Sequence, residues 1–230
     1  MSFWVPRRRP EPELLDGADV PAREAEASLA DIEWVHLRLG GRALVRSRLQ
    51  PLFAALAGRK ETLEVLDLGC GSGHVGRDLQ AAAAEAGVHV RVFGLDRKAS
   101  HARLSARGTT VVADAFRLPF PDRGVDVVFS TLFLHHFSPA EAAALLAEAR
   151  RVAASSVLAL DLTRHRLAIA VISMVGPVAF RSRLSVADGK TSVRQAYTPD
   201  EIAAIAAPIL PGARVTKTSP FAWELLWRRP

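Results

Sequence analysis

Apolar residues follow two rhythms along this chain. Over residues 23–39 they recur at helical spacing, at Leu29, Ile32, Val35 and Leu39, and Gly40-Gly41 closes the helix. A second helical pattern fills 42–57 and stops at Gly58. Beyond it come short, nearly unbroken apolar runs at 63–68, 88–95, 109–113, 125–131 and 156–160, three of them followed by an acidic residue (Asp96, Asp114, Asp161). Helical stretches at 74–86, 97–107 and 139–153 lie between them. Apolar strands alternating with helices predict an α/β fold whose parallel sheet is covered on both faces.

The rhythm breaks after the fifth strand. Residues 163–184 read as one unusually apolar helical stretch. Thr198-Pro199-Asp200-Glu201 has the form of a helix start, with Thr198 as N-cap, Pro199 in the first helical position and Glu201 completing a capping box. Closing strands near 213–218 and 222–227, parted by Ser219-Pro220, bring the total to seven and fit an antiparallel hairpin at the sheet edge. Residues 1–21 carry Pro at 6, 10, 12 and 21 and are expected to be irregular, with Arg7-Arg8-Arg9 a solvated, frayed arm. The expected organisation is an N-terminal arm and helical cap over 1–58, then one domain over 59–230 with an apolar insert at about 163–196.

Composition narrows the class. A chain of 230 residues that is 49% apolar can bury a full core. The single cysteine, Cys70, excludes a disulfide framework and argues against a Cys-based metal cluster. No leader-like apolar segment opens the chain, and the longest apolar run, 167–180, is 14 residues with Gly176-Pro177 inside it. That is too short to span a bilayer, so a soluble, cytoplasmic protein is expected. The net charge of +6 comes almost wholly from arginine, with lysine only at 60, 98, 190 and 217. No basic stripe interleaved with aromatics follows Arg7-Arg8-Arg9, which argues against nucleic acid as the partner.

The candidate chemistry begins at Val65-Leu66-Asp67-Leu68-Gly69-Cys70-Gly71-Ser72-Gly73-His74-Val75-Gly76, an apolar strand running through a glycine loop into a helix. Such a loop lets backbone N–H groups approach a ligand at a helix N-terminus. Gly71-x-Gly73-x-x-Gly76, with Asp96 20 residues further on, meets the dinucleotide fingerprint. Asp67, however, stands where a pyrophosphate would meet a negative charge, and it favours a cofactor carrying an ammonium or sulfonium centre. Asp114-Ala115, after the third strand, places an acceptor where an adenine amino group could lie.

The ordered set 65–73, Gly94-Leu95-Asp96, Asp114-Ala115, Leu118-Pro119-Phe120-Pro121-Asp122 and Val125-Asp126-Val127-Val128 resembles the class I S-adenosylmethionine-dependent methyltransferases, strongly over about 60–162 and more loosely to the end of the chain. The resemblance implies a Rossmann-like fold with a helical lid, and S-adenosylmethionine as cofactor. It implies that Asp67, with Gly69, Gly71 and Gly73, holds the methionyl amine. Asp96 would accept both ribose hydroxyls, Asp114 would accept from adenine N6, and Ala115 would give the ring edge an N–H. Ser130–Leu132, with Thr131 between, would close the methionyl side. The stretch 28–42 looks similar to methyltransferases found beside polyketide synthases, and the core is shared with C-methylating enzymes of quinone and lipid metabolism.

The methyl acceptor leaves weaker marks. The fourth strand leads into Leu132-Phe133-Leu134-His135-His136-Phe137, which puts two candidate bases, His135 and His136, at the carboxyl end of the sheet; one of them could instead cap the helix at Ser138-Pro139. Trp34, His36, His165, Ile169, Ile172, Met174 and Tyr197 are candidate linings of an apolar lid over a small aromatic or alkyl acceptor. No Asn/Asp-Pro-Pro-Tyr follows the fourth strand, no second cysteine offers a nucleophile, and Asp161 alone does not make a metal site. These features favour O-methylation of a hydroxyl or carboxyl group in secondary metabolism, with C-methylation as the nearest rival. A non-catalytic cofactor-binding protein and an RNA methyltransferase are the rivals from other classes. The number of copies per assembly stays open.

Overall fold

The computed structural model describes residues 3–17, 19–38, 40–58, 61–104 and 109–230. Its strands β1 (Thr62–Leu68), β2 (His89–Asp96), β3 (Thr109–Val112), β4 (Val125–Thr131), β5 (Ala153–Leu162), β6 (Arg214–Ser219) and β7 (Ala222–Arg228) form one sheet in the order β3-β2-β1-β4-β5-β7-β6. β1 to β5 are parallel, and β7 runs antiparallel to both β5 and β6. The middle of the sheet explains the unbroken apolar runs: Val65 sits between Val92 and Val127, and Val127, Val128 and Phe129 are almost wholly buried on alternate faces. Burying each such side chain contributes about 1.5–3 kcal/mol.

Helices α1 (Ala22–Arg38), α2 (Gly41–Leu56), α3 (His74–Glu85), α4 (Ala99–Leu104), α5 (Pro139–Val152), α6 (Arg166–Ala179), α7 (Arg183–Gln195) and α8 (Pro199–Ala206) complete the chain order. One face of the sheet is covered by α2 and α3, whose Val45, Leu49, Phe53, Leu79 and Ala83 meet Val65 and Phe129. The other is covered by α5 and α8, whose Leu145, Leu146, Ile202 and Ala206 meet Leu66, Val128, Trp223 and Trp227. Thr198 and Glu201 form the expected capping box, with Pro199 at the start of α8. Ser138 and Glu141 form a second one on α5, so no histidine caps that helix. Leu39 and residues 105–107, which the sequence reading included in helices, lie outside the described residues.

Two expectations change. The stretch 163–184 is not one helix. α6 ends at Ala179, shortly after Gly176-Pro177, and the buried Asp31 carboxylate of α1 accepts from the backbone N–H groups of Arg181 and Ser182. Ser182 then caps α7. The sequence Arg183–Gln195 has too few apolar residues for its periodicity to show, because α7 is held largely by polar contacts.

The N-terminal arm is also not frayed. Arg8 donates through Nε to the Gln195 carbonyl at 2.6 Å, and through Nη2 to the carbonyls of His135 and Phe137 at 3.0 and 2.8 Å. The Asp188 carboxylate accepts from the N–H groups of Leu14 and Leu15 at 2.7 and 2.8 Å. Arg7 and Arg9 do face solvent, although the Arg9 N–H bonds to the Arg194 carbonyl.

Candidate active site

The glycine loop lies between the end of β1 and the first turn of α3, with φ of +70°, +53° and +70° at Gly69, Gly71 and Gly73. A Cβ on Gly69 would run into the ring of Phe133, and one on Gly71 would stand 3.2 Å from Leu29 Cδ2 of α1. The loop is thus covered by α1 and by the segment after β4. The Gly71 N–H donates to Asp96 Oδ2 at 3.0 Å, and the Lys98 N–H donates to Oδ1 at 2.8 Å. Burial works against the charge on Asp96, yet these bonds and His101 Nδ1, 3.5 Å away, hold its pKa below the ordinary value. A carboxylate has acceptor sites to spare beyond these two backbone bonds.

Asp67 is 2% exposed, paired in the sheet beside Gly94 and Phe129. Burial, and after it the charge of Asp96, push its carboxyl well above the usual carboxylate range. Asp114 stands exposed after β3, with Oδ1 accepting from the Phe116 N–H, and Ala115 beside it is buried. Ser130 and Thr131 are buried at the end of β4, where Leu132 turns the chain with φ of +51°. A loop whose backbone turns only with glycine, a ribose-type acceptor beside it and an ionisable carboxyl beneath it suit a nucleoside bearing a cationic amino-acid tail.

The two histidines after β4 differ sharply. His135 is 2% exposed. Its Nδ1 is 2.6 Å from Asp161 Oδ1 at the end of β5, its N–H donates to Asp161 Oδ2 at 3.0 Å, and its Nε2 is 3.3 Å from Glu13 Oε1 on the arm. Burial opposes its charge, but Asp161 and then Glu13 outweigh it and raise its pKa to about 10. His135 is therefore an imidazolium at neutral pH, unsuited to taking a proton. His136, stacked on it at 4.3 Å between ring centroids, is 24% exposed in its side chain. Its Nδ1 lies 3.4 Å from Asp16 Oδ2 and its Nε2 4.0 Å from Glu13 Oε2. Asp16 is held below its ordinary pKa mainly by that histidine.

Glu13, His135 and His136 bring three potential ligand atoms within 4.8 Å of one another, a grouping the sequence reading did not anticipate. Glu13 Oε1 already accepts from Ser192 Oγ and Gln195 Nε2 of α7, so it is committed to hydrogen bonds within the fold. Glu13, Asp16, Asp161 and Gln195 were all missed as functional neighbours. Nothing periodic marks Glu13 and Asp16 in a Pro-rich stretch, and only Asp161, at a strand's carboxyl end, carried a positional signal.

The candidate lid residues are scattered. His36 is buried with Nδ1 2.6 Å from His74 Nε2, whose Nδ1 is in turn 3.1 Å from Ser72 Oγ in the glycine loop. Burial, then Arg42, lowers the His36 pKa to about 4, and burial, then His36, lowers that of His74 to about 3. His36 is thus a neutral tie between α1 and the loop rather than a lining base. His165 caps α6 and stacks on Trp4. Tyr197 is buried beneath the arm, with its hydroxyl on the Phe137 carbonyl at 2.6 Å and Arg8 over its ring. Ile172 packs toward Gly189 of α7, and Ile169 is half-buried. Met174 points outward at 80% exposure and lines nothing, and Trp34, 41% exposed, meets Phe180 edge-on. A cavity of about 440 Å³ bounded by Arg48, Leu52, Ser155, Leu226 and Arg228 lies at the amino end of β5, opposite the end of the sheet that carries the glycine loop.

Residues 65–156 match a family model described as a methyltransferase domain. The plantazolicin methyltransferase BpumL, solved with S-adenosylhomocysteine, superposes with a TM-score of 0.66 at 14% identity, over 93% of this chain and 92% of its own. Magnesium protoporphyrin IX methyltransferase (ChlM) from Synechocystis PCC 6803, with the same bound product, gives 0.54 at 22% identity over 84% of each chain. A methyltransferase from Aquifex aeolicus gives 0.53 at 18% identity over 80% of this chain and 88% of its own. No curated protein sequence matches the chain. At these identities the structures speak for the fold, and the family model speaks for the class. The chain thus carries a methyltransferase domain over residues 65–156, on the fold of S-adenosylmethionine-dependent methyltransferases, and is an enzyme whose cofactor is S-adenosylmethionine.

Proposed function

We propose that this enzyme methylates an oxygen of a small aromatic or polyketide-like acceptor, with His136 as the proton-accepting group. The observation that carries the reading is the division of labour between neighbouring histidines: His135 is locked as a cation between Asp161 and Glu13, while His136 keeps a partly open ring. His136 Nδ1 turns to Asp16 and Nε2 lies 4.0 Å from Glu13 Oε2, so the ring is oriented by two carboxylates while its open edge would meet the acceptor hydroxyl.

When bound, S-adenosylmethionine supplies an electrophilic methyl group on sulfur. Asp96 would accept the ribose hydroxyls, Asp114 and Ala115 would meet the adenine, and Asp67 under Gly69, Gly71 and Gly73 would face the methionyl amine, with Thr131 closing that side. Phe133, pressed on Gly69 and edge-on to Phe137, supports an apolar approach for the acceptor. The arm with α1, together with α6 and α7 within 163–196, would act as the cap that keeps water out, whereas α2, the remainder of 1–58, packs on the sheet.

The test is a panel of phenols, polyketide-like enols and carboxylic acids with methyl-labelled cofactor. His136→Ala is expected to lower kcat about 10²- to 10⁴-fold, with cofactor affinity unchanged by calorimetry. Near-normal turnover would remove His136 as the base, and label found on carbon would replace O-methylation by C-methylation. Asp96→Ala is expected to weaken cofactor binding about 10- to 100-fold, because charge-assisted bonds are lost.

A further inference from the structure

We propose that the outer face of α6 docks on an anionic membrane surface. α6 uses its inner face in the fold: Gly176 approaches Val186 of α7 and Ile172 approaches Gly189, while Ala168 is buried. Its outer face carries Leu167, Val171, Met174, Val175 and Val178 at helical spacing, all exposed, Met174 to 80% and Val178 to 90%. A continuous apolar stripe of this kind on a water-facing helix marks a contact surface. Beside the first turn of α6 the patch continues into the arm, where Phe3 and Trp4 are 71% and 52% exposed, the Arg166 N–H donates to the Trp4 carbonyl, and the Arg166 guanidinium lies over the Phe3 ring.

The charge around the stripe selects the partner. Residues 163–187 hold four arginines and no acidic residue, and three of the four, Arg166, Arg181 and Arg183, face solvent at the two ends of α6. Arg7 and Arg9 of the arm are exposed as well. Glu24, whose carboxylate takes the Ser182 hydroxyl, is the nearby counter-charge, and Asp31 is buried in backbone bonds. A symmetric pairing of two copies through this face would set arginine against arginine. An anionic bilayer instead attracts the rim while the apolar stripe enters the headgroup boundary, the arrangement of an interfacial amphipathic helix. Where the acceptor is apolar, as the proposed function has it, this docking lets it reach the cap from the acyl layer without crossing water.

The experiment is co-sedimentation of the full chain with phosphatidylcholine vesicles, with and without phosphatidylglycerol, alongside light-scattering measurement of mass. Binding is expected only to the anionic vesicles and should weaken with added salt. Met174→Glu with Val178→Glu should abolish it, and Arg181→Gln and Arg183→Gln should each reduce it about fivefold. These positions are exposed, so a melting transition like that of the parent protein confirms that the variants fold. No binding to either vesicle overturns the proposal. So does a dimer that Met174→Glu dissociates, which would assign the face to a second copy. The readout needs no turnover, so its failure is separate from any failure of the acceptor assignment.

Discussion

His135 Nδ1 stands 2.6 Å from Asp161 Oδ1, so one buried charged pair joins the carboxyl ends of β4 and β5, neighbouring strands at the middle of the sheet. Glu13 completes the clamp from the other side and ties the N-terminal arm to it. The same three residues therefore set strand-end geometry, arm position and the electrostatics beside His136.

This clamp predicts a stability that declines at alkaline pH. His135 has a folded pKa of about 10 against an ordinary 6.5. A raised pKa contributes stability in full below the unfolded value and loses it as pH climbs through the folded one. The melting temperature should fall steadily between about pH 6.5 and 10, and His135→Asn should flatten that slope. An equal slope in the variant would mean that other groups carry the alkaline loss.

Removing the arm's carboxylate should be costly. Glu13→Ala leaves the His135 ring, the Ser192 hydroxyl and the Gln195 amide without their shared acceptor in a buried site. Breaking such a pair costs about 3–5 kcal/mol. Faster proteolysis within residues 3–13 and a lower melting temperature are expected, with Glu13→Gln milder because it retains an acceptor oxygen. Deletion of 1–21, which a frayed arm would tolerate, should weaken cofactor binding, because Leu15 packs with Leu29, the residue that covers Gly71.

What the sequence made visible was whatever depends on local pattern. β4 could be read because both its faces are buried, and α8 because Thr198 and Glu201 bond to each other within four residues, with Pro199 at the first helical position. The glycine loop and the positions of Asp67 and Asp96 followed from the strand and glycine spacing. The clamp could not be read that way. Glu13 meets His135 across 122 positions of chain, in a segment whose prolines erase periodicity. α7 was hidden for a related reason: its Asp188, Ser192 and Gln195 are buried by hydrogen bonds to the arm, which leave no apolar stripe to find. The apolar stretch 163–184 misled in the opposite sense, because Met174 and its neighbours are apolar and exposed.

Gly69→Ala tests the closeness of Phe133 to the loop. The added methyl would meet the Phe133 ring at a position already held at φ +70°. Left-handed backbone costs a non-glycine residue about 1–2 kcal/mol, and overpacking about 1–3 kcal/mol more. A melting temperature lowered to match, together with loss of cofactor binding, is expected. Gly69→Ala combined with Phe133→Ala should recover part of the stability if the ring is the obstacle, and none if the backbone alone is.

The buried Asp67 should couple cofactor binding to pH. Its carboxyl is held well above the ordinary range by burial and by Asp96, which favours the protonated form in the free enzyme. A cationic amine placed beside it favours the carboxylate, so binding should release a proton and affinity should rise with pH up to the free-enzyme pKa. Calorimetry in two buffers of different ionisation enthalpy measures that release directly. Asp67→Asn cannot ionise and should abolish the proton release while leaving the dependence on Asp96 intact. Proton uptake, or a release that persists in Asp67→Asn, would place the linked group elsewhere in the site.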